Sequence, residues 1–322
     1  MRRLPLVLLA AATVLGTPPA AAARTSSPVA LVTAETSNEV FAVSLGLHGG
    51  KVLRRVHLVD PLMVAAALHG PAVVVSPTGT VTLLAWHSLR PIAVFHSFRT
   101  PEVAAIAPGG RLAYVADGGT GDLSVIDLAR RKVIDRVFVG AGAHHLGVSP
   151  DGRRLWVALG ETATTVVRLD TSNPGKPRVI GRIHPPAAAH DVQFSPDGRV
   201  AWVSSASAPF VMIYAAATGK MLREVPAPEA PQHIAFSGAR ALVTSGYGSS
   251  LEELSWRTYR RLRTVSTPYG SFNLSTFGGR VVTTSVLDGE VTELGVGKLT
   301  RFWTTKVAPV ARYVAISLWP RR

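Results

Sequence analysis

The stretches AHHLGVSPDGRRLWVAL (143–159) and HDVQFSPDGRVAWVSS (190–205) are two copies of one unit, and the unit decides the fold. Each copy alternates apolar residues into a small residue, turns at Pro-Asp-Gly, and returns as a second alternating segment. Period-2 alternation rich in Val and broken by Asp-Gly marks two antiparallel strands joined by a tight hairpin. The small residue recurs outward in both directions, at Ala67, Ala107, Ser149, Ser195, Ser237, Ser275 and Ser317. The spacings are 40, 42, 46, 42, 38 and 42 residues. A repeat near 40 residues holding four short strands is the blade of a β-propeller.

The remaining strands of each unit are legible. After EVAAIA (102–107) and RLAYVAD (111–117), the third unit continues as DLSVIDLA (122–129) and KVIDRVFV (132–139). The fifth continues as FVMIYAA (210–216) and KMLREVP (220–226). The sixth and seventh units replace Pro-Asp-Gly with SGAR (237–240) and STFGGR (275–280), which predicts less regular inner hairpins there. The ends are complementary. ARYVAIS (311–317) is a first strand with no successors, whereas ALVTAE (30–35), EVFAVSL (39–45) and KVLRRVHLV (51–59) are later strands with no first. The expected fold is all-β, a seven-bladed β-propeller whose mixed blade is closed by the N- and C-terminal strands. Closure leaves no open sheet face, and an open solenoid would have no use for complementary partial repeats.

Composition supports one domain over residues 24–322: 47% hydrophobic content and no Pro/Ser-rich linker. Residues 1–23 read as a secretory signal peptide, with Arg2 and Arg3, an apolar run from Leu4 to Gly16, and small residues at Ala21–Ala23. That run is too short to span a bilayer once cleaved, and no later stretch is long and apolar enough to do so. An uncleaved signal anchor is the alternative. The expected location is secreted, periplasmic or cell-envelope. With no cysteine, disulfides and thiolate ligands are excluded.

The net charge of +14 comes from Arg tracts such as Arg130–Arg131, Arg153–Arg154 and Arg260–Arg261, in hairpin turns and outer strands. Scattered arginines without interleaved aromatics on one face argue against nucleic acid as a partner. They suit association with anionic cell-envelope polymers. GxSxG, P-loop and HExxH motifs are missing, and GGTGD (118–122) joins two strands rather than opening a helix.

The candidate site follows from the repeat. His144, His190 and Gln232 stand five residues before their anchors; His145, Asp191 and His233 stand four before. Equivalent positions in neighbouring blades converge on one mouth of the axial channel. Glu102 and Arg312 belong to the same ring, with Ser271, Tyr269 and Tyr313 nearby and Asp117, Glu161 and Tyr247 approaching on loops. Imidazoles from separate blades can ligate a divalent metal, for which His144, His190 and His233 are the candidate ligands. They can also act as acid and base or recognise a small molecule, peptide or glycan. His48, His57, His69, His87, His96 and His184 fall in outer strands or turns and read as structural. Two residues before the anchors stand Ala65, Ala105, Gly147, Gln193, Ala235, Asn273 and Ala315, so Gln193 and Asn273 are polar exceptions near the axis.

The units SPDGRRLWVAL (149–159), SPDGRVAWVSS (195–205) and GGRLAYVADGGTGDLSVIDLARRKVIDRV (109–137) resemble the YVTN repeats of bacterial YncE-like propellers. The resemblance spans roughly residues 29–318 and implies the propeller fold rather than an activity. GAHHLGVSPDGRRLWVA (142–158) and APQHIAFSG (230–238) also resemble, more weakly, inner strands of the lactonase family related to 6-phosphogluconolactonase. That family usually carries an Arg-His or His-His pair at this place. Here His144–His145 keeps it, whereas His190–Asp191 and Gln232–His233 depart from it. Two functions are therefore expected: an exported binding or scaffolding propeller using the His-bearing face, or a lactonase- or lyase-like enzyme using channel-mouth His and carboxylates, metal-assisted.

Overall fold

The computed structural model describes residues 26–160, 164–205, 207–227 and 231–321. Seven four-stranded antiparallel sheets stand around one axis. Residues 1–23 and Glu161 lie outside the described residues. Blade 1 is the mixed blade, ordered Val314–Pro320, Ser26–Ala34, Glu39–Ser44, Val52–His57. Its clasp runs over seven paired positions, from Val32 opposite Val314 to Ser26 opposite Pro320. The six other blades follow in chain order, their inner strands being Met63–Ala66, Pro101–Ile106, Ala143–Val148, Ala189–Phe194, Ile234–Ser237 and Ser271–Phe277. Each inner strand touches that of the next blade, and the strand of blade 7 touches that of blade 1, so the ring is closed. No described helix is long and apolar enough to cross a membrane.

Alternation explains the core. Each middle strand points one row of side chains at each neighbouring blade, and the result is seven apolar clusters, one at each junction. The outer strands are half exposed and carry arginines such as Arg54, Arg136 and Arg263. Charge there discourages edge-to-edge pairing with other chains. The inner strands crowd the axis. A Cβ at Gly147 would collide with the Val192 carbonyl of the next blade, which leaves no room for a side chain at that point.

Two expectations are corrected. The inner hairpins of blades 6 and 7 are not irregular: they are two-residue turns, pairing Ser237 with Arg240 and Phe277 with Arg280. Gly278 and Gly279 both have positive φ, as a type I′ hairpin requires. That turn also resets the phase of blade 7. Phe277, not Ser275, is equivalent to Ser237, so the structural spacing on either side is 40 residues. Asn273 therefore stands four residues before its anchor rather than two. Its Oδ1 accepts the Val314 N–H of blade 1 at 3.0 Å.

Polar ties cross the junctions as well. Thr33, Ser204, Thr244 and Thr284 occupy one position on the second strand of blades 1, 5, 6 and 7. Their hydroxyls donate to Leu62, Gln232, Phe272 and Arg312 carbonyls in the following blade. Buried carboxylates make a second kind of tie. Glu253 Oε1 lies 3.1 Å from Arg240 Nε, and its Oε2 accepts the Gly297 N–H of blade 7. Glu293 repeats this one blade on, with Arg280 Nη1 at 2.8 Å and the Gly46 N–H of blade 1.

Candidate functional site

The inner strands do not pair evenly with their neighbours. In blade 4, Ala143 faces Leu159 and Leu146 faces Val157, so His144 and His145 together oppose one residue. Blade 5 repeats the bulge with His190 and Asp191, and blade 7 with Phe272 and Asn273. A bulge adds a residue and re-aims the side chains beside it. Two sets of equivalent positions result: Leu62, Glu102, His144, His190, Gln232, Phe272 and Arg312 in one, and Met63, Val103, His145, Asp191, His233, Asn273 and Tyr313 in the other.

Blades 4 to 6 make these positions a cluster of imidazoles. His145 lies 4.0 Å from His190 and 5.1 Å from His233 between ring centroids, and His190 lies 5.2 Å from His233. His145, His190 and His233 are each no more than 3% exposed. One ligand atom from each falls within 4.8 Å of the others. The expected trio had His144 in place of His145. The geometry brings in His145, while His144 turns Nε2 towards Glu102 Oε2 at 3.7 Å and Nδ1 towards His145 Nδ1 at 2.5 Å. Spacing alone cannot separate adjacent residues on a bulge.

The surroundings hold the rings in place. Tyr313 Oη meets His145 Nε2 at 3.0 Å. Asp191 Oδ2 lies 3.7 Å from His233 Nδ1 while accepting the Ile234 N–H, and Asp191 Oδ1 accepts from Val192 N and Gln193 Nε2. Gln193 thus serves Asp191. Phe272 packs against His233, Tyr313 and Tyr247. Arg312 stacks over Phe272 at 5.1 Å and pairs with Glu35 at 2.9 Å. Both ring nitrogens of His190, His233 Nε2 and Arg312 Nε are buried without a hydrogen-bond partner. A buried polar atom left unsatisfied costs about 1–3 kcal/mol, so three on two adjacent imidazoles are a concentrated expense.

Other expected members are placed elsewhere or do other work. The Asp117 carboxylate accepts backbone N–H groups of Arg99, Thr100 and Gly119, which makes it a loop organiser. Ser271 Oγ pairs with Thr283 Oγ1, Gln232 is buried beside the cluster, and Tyr269 is largely exposed. Phe272 was hidden by the phase slip of blade 7, and the Gly278–Gly279 hairpin is the signal that exposes it.

Burial dominates the electrostatics. It lowers the His144 pKa to about 4, with electrostatic repulsion from neighbouring His233 and Arg312 adding to the effect. It holds His145 and His190 well below 6.5, with neighbouring imidazoles adding to the effect. Below pH 6.5 the unfolded chain takes up protons that these folded rings refuse, so stability falls as pH drops towards 4. His144 alone accounts for about 3 kcal/mol of that loss, from its shift of 6.5 to about 4. The melting temperature is expected to fall between pH 7 and pH 4, and less steeply in His144→Gln. A melting temperature independent of pH over that range would contradict the burial argument.

Comparisons place the fold among known proteins. No family model matches the chain, and no curated protein matches it. Among solved structures it is similar to a functionally unknown protein from Desulfotomaculum acetoxidans, with TM-score 0.79 and 14% identity over 91% of this chain and 99% of that one. It is similar to Kuenenia stuttgartiensis hydrazine synthase, with TM-score 0.71 and 19% identity over 83% and 92%. A third is the dihydro-heme d1 dehydrogenase NirN in complex with DHE, with TM-score 0.64 and 16% identity over 87% of this chain and 64% of that one. At these identities the likeness shows the propeller fold.

Proposed function

We propose that this protein is an exported recognition propeller that binds a small molecule, peptide or glycan at the imidazole-lined mouth of its channel. One observation carries the reading: four histidines from three successive blades converge, and His190 keeps both nitrogens buried and unpartnered. A packing role would be filled better by Phe, as blade 7 does with Phe272. The surroundings suit a ligand with apolar and anionic parts, since Tyr247, more than half exposed, and the Arg312 guanidinium both pack on Phe272. The signal-like residues 1–23 support action outside the cytoplasmic membrane, and the +14 charge supports retention by anionic envelope polymers.

The test is a histidine-labelled NMR screen against small carboxylates, sugars, lactones and short peptides. Binders should shift His144, His145, His190 and His233 and leave His57, His87 and His96 unmoved. A screen whose binders perturb only the outer histidines, or none, rejects the reading. Turnover of a lactone, lost in His144→Gln, would instead establish the lactonase-type enzyme, with the Glu102–His144 pair as its acid and base.

A further inference from the structure

We propose that His145, His190 and His233 form a binding site for one divalent transition-metal ion of the Zn²⁺ or Cu²⁺ class, with a coordination position open towards the channel mouth. The proposal deepens the recognition reading by supplying an ion as its anchor, and it rests on that reading only for the direction of the open position.

The donor set selects the class of ion. Three imidazoles, with no thiolate available in a chain lacking cysteine, suit Zn²⁺ or Cu²⁺. Ca²⁺ and Mg²⁺ need oxygen donors. The nearest buried carboxylate, Asp191, already accepts from Val192 N, Ile234 N and Gln193 Nε2, so it stands outside the donor set. From there it performs a different task. Its Oδ2, 3.7 Å from His233 Nδ1, faces that edge of the ring and leaves the unpartnered Nε2 as the donor. A carboxylate behind a ligating imidazole is the usual outer-shell arrangement, and Tyr313 Oη on His145 Nε2 serves the second ring, whose Nδ1 must exchange its contact with His144 Nδ1 for the ion. The third ring, His190, has no such partner on either nitrogen. An ion would satisfy one of them and remove the largest unmet polar demand in the channel.

The scaffold also fits. The three donors come from three separate blades, His145 and His190 on inner strands and His233 immediately before one, and each inner strand packs against the next. Their ligand atoms lie within 4.8 Å of one another. Zn–N bonds of about 2.0–2.1 Å require donor atoms somewhat nearer than that, within reach of side-chain rotation. A tris-imidazole site without a protein carboxylate leaves the ion's charge uncompensated, so the fourth ligand should be an anion such as hydroxide or a carboxylate.

The experiment uses untagged protein stripped with a chelator and titrated with Zn²⁺ against a competing indicator, then with Co²⁺ as a spectroscopic probe. One equivalent should bind, with the intense visible absorption of low-coordinate Co²⁺. His190→Gln and His233→Gln should each weaken binding at least about 100-fold, a larger loss than removal of an outer-shell partner produces. His144→Gln and a triple His57, His87, His96→Gln variant should retain one equivalent. If either cluster variant fails to fold, the triple variant decides, because binding that vanishes with the outer histidines overturns the proposal. So does wild-type protein that retains no ion, or binding undiminished in both cluster variants. Small ligands that shift the clustered histidines of a protein unable to bind Zn²⁺ would sink the ion and leave the recognition reading standing.

Discussion

A chain ending at Ala308 is expected to lose its cooperative thermal transition. It lacks the inner strand of blade 1, and with it Tyr313, Val314, Ile316 and Trp319, each 8% exposed or less. Burying a large apolar side chain contributes about 1.5–3 kcal/mol, so these four alone approach the ~5–15 kcal/mol that stabilises an ordinary domain. The pairing with Ser26–Ala34 is lost as well, and Asn273 and Thr284 lose their donor and acceptor partners, respectively, in blade 1. Circular dichroism during heating measures the effect. A truncated chain melting at the wild-type temperature would contradict the assignment of Val314–Pro320 as the closing strand.

Arg280→Ala should destabilise the protein more than Glu293→Gln, although both break one ion pair. Glu293 is fully buried, and Arg280, about a third exposed, is its cation at 2.8 Å. Removing the arginine strands a carboxylate where water cannot reach it, which costs about 3–5 kcal/mol. Gln at 293 is neutral and can still accept the Gly46 N–H, while water reaches the remaining guanidinium. Urea denaturation of the two variants should therefore give midpoints in that order. The reverse order would mean that the Gly46 contact, rather than charge burial, dominates this junction.

Blade number, mixed closure and the convergence of His144, His145, His190 and His233 were legible, because a blade is a local repeat and a ring brings equal offsets together. What escaped was set by the register of strands within a blade and by contacts between blades. Ser275 imitates an anchor, and only the pairing of Phe277 with Arg280 shows the strand continuing two residues further. The adjacent pair His144–His145 looks symmetrical until the bulge gives each ring a different neighbour. Nothing in LEEL (251–254) announces that both carboxylates are buried, since their partners come from Arg240, Arg261 and the backbone of the following blade. The likeness to YVTN-type repeats rests on the same local signals, and so speaks to architecture.

The hydroxyl ties are unevenly distributed around the ring. They bridge blades 5 to 6, 6 to 7, 7 to 1 and 1 to 2, whereas Val75, Ala116 and Ala158 occupy the equivalent position at the other three junctions. The circle is therefore mechanically asymmetric, with a riveted arc and an arc held at this depth by packing. The junction of blades 4 and 5 falls in the second arc. At the level of the missing rivet it holds the contact of His145 with His190, 4.0 Å apart. A ligand that engaged those two rings would therefore act across a junction that no such hydroxyl bridges, and its binding energy would add directly to the cohesion of blades 4 and 5.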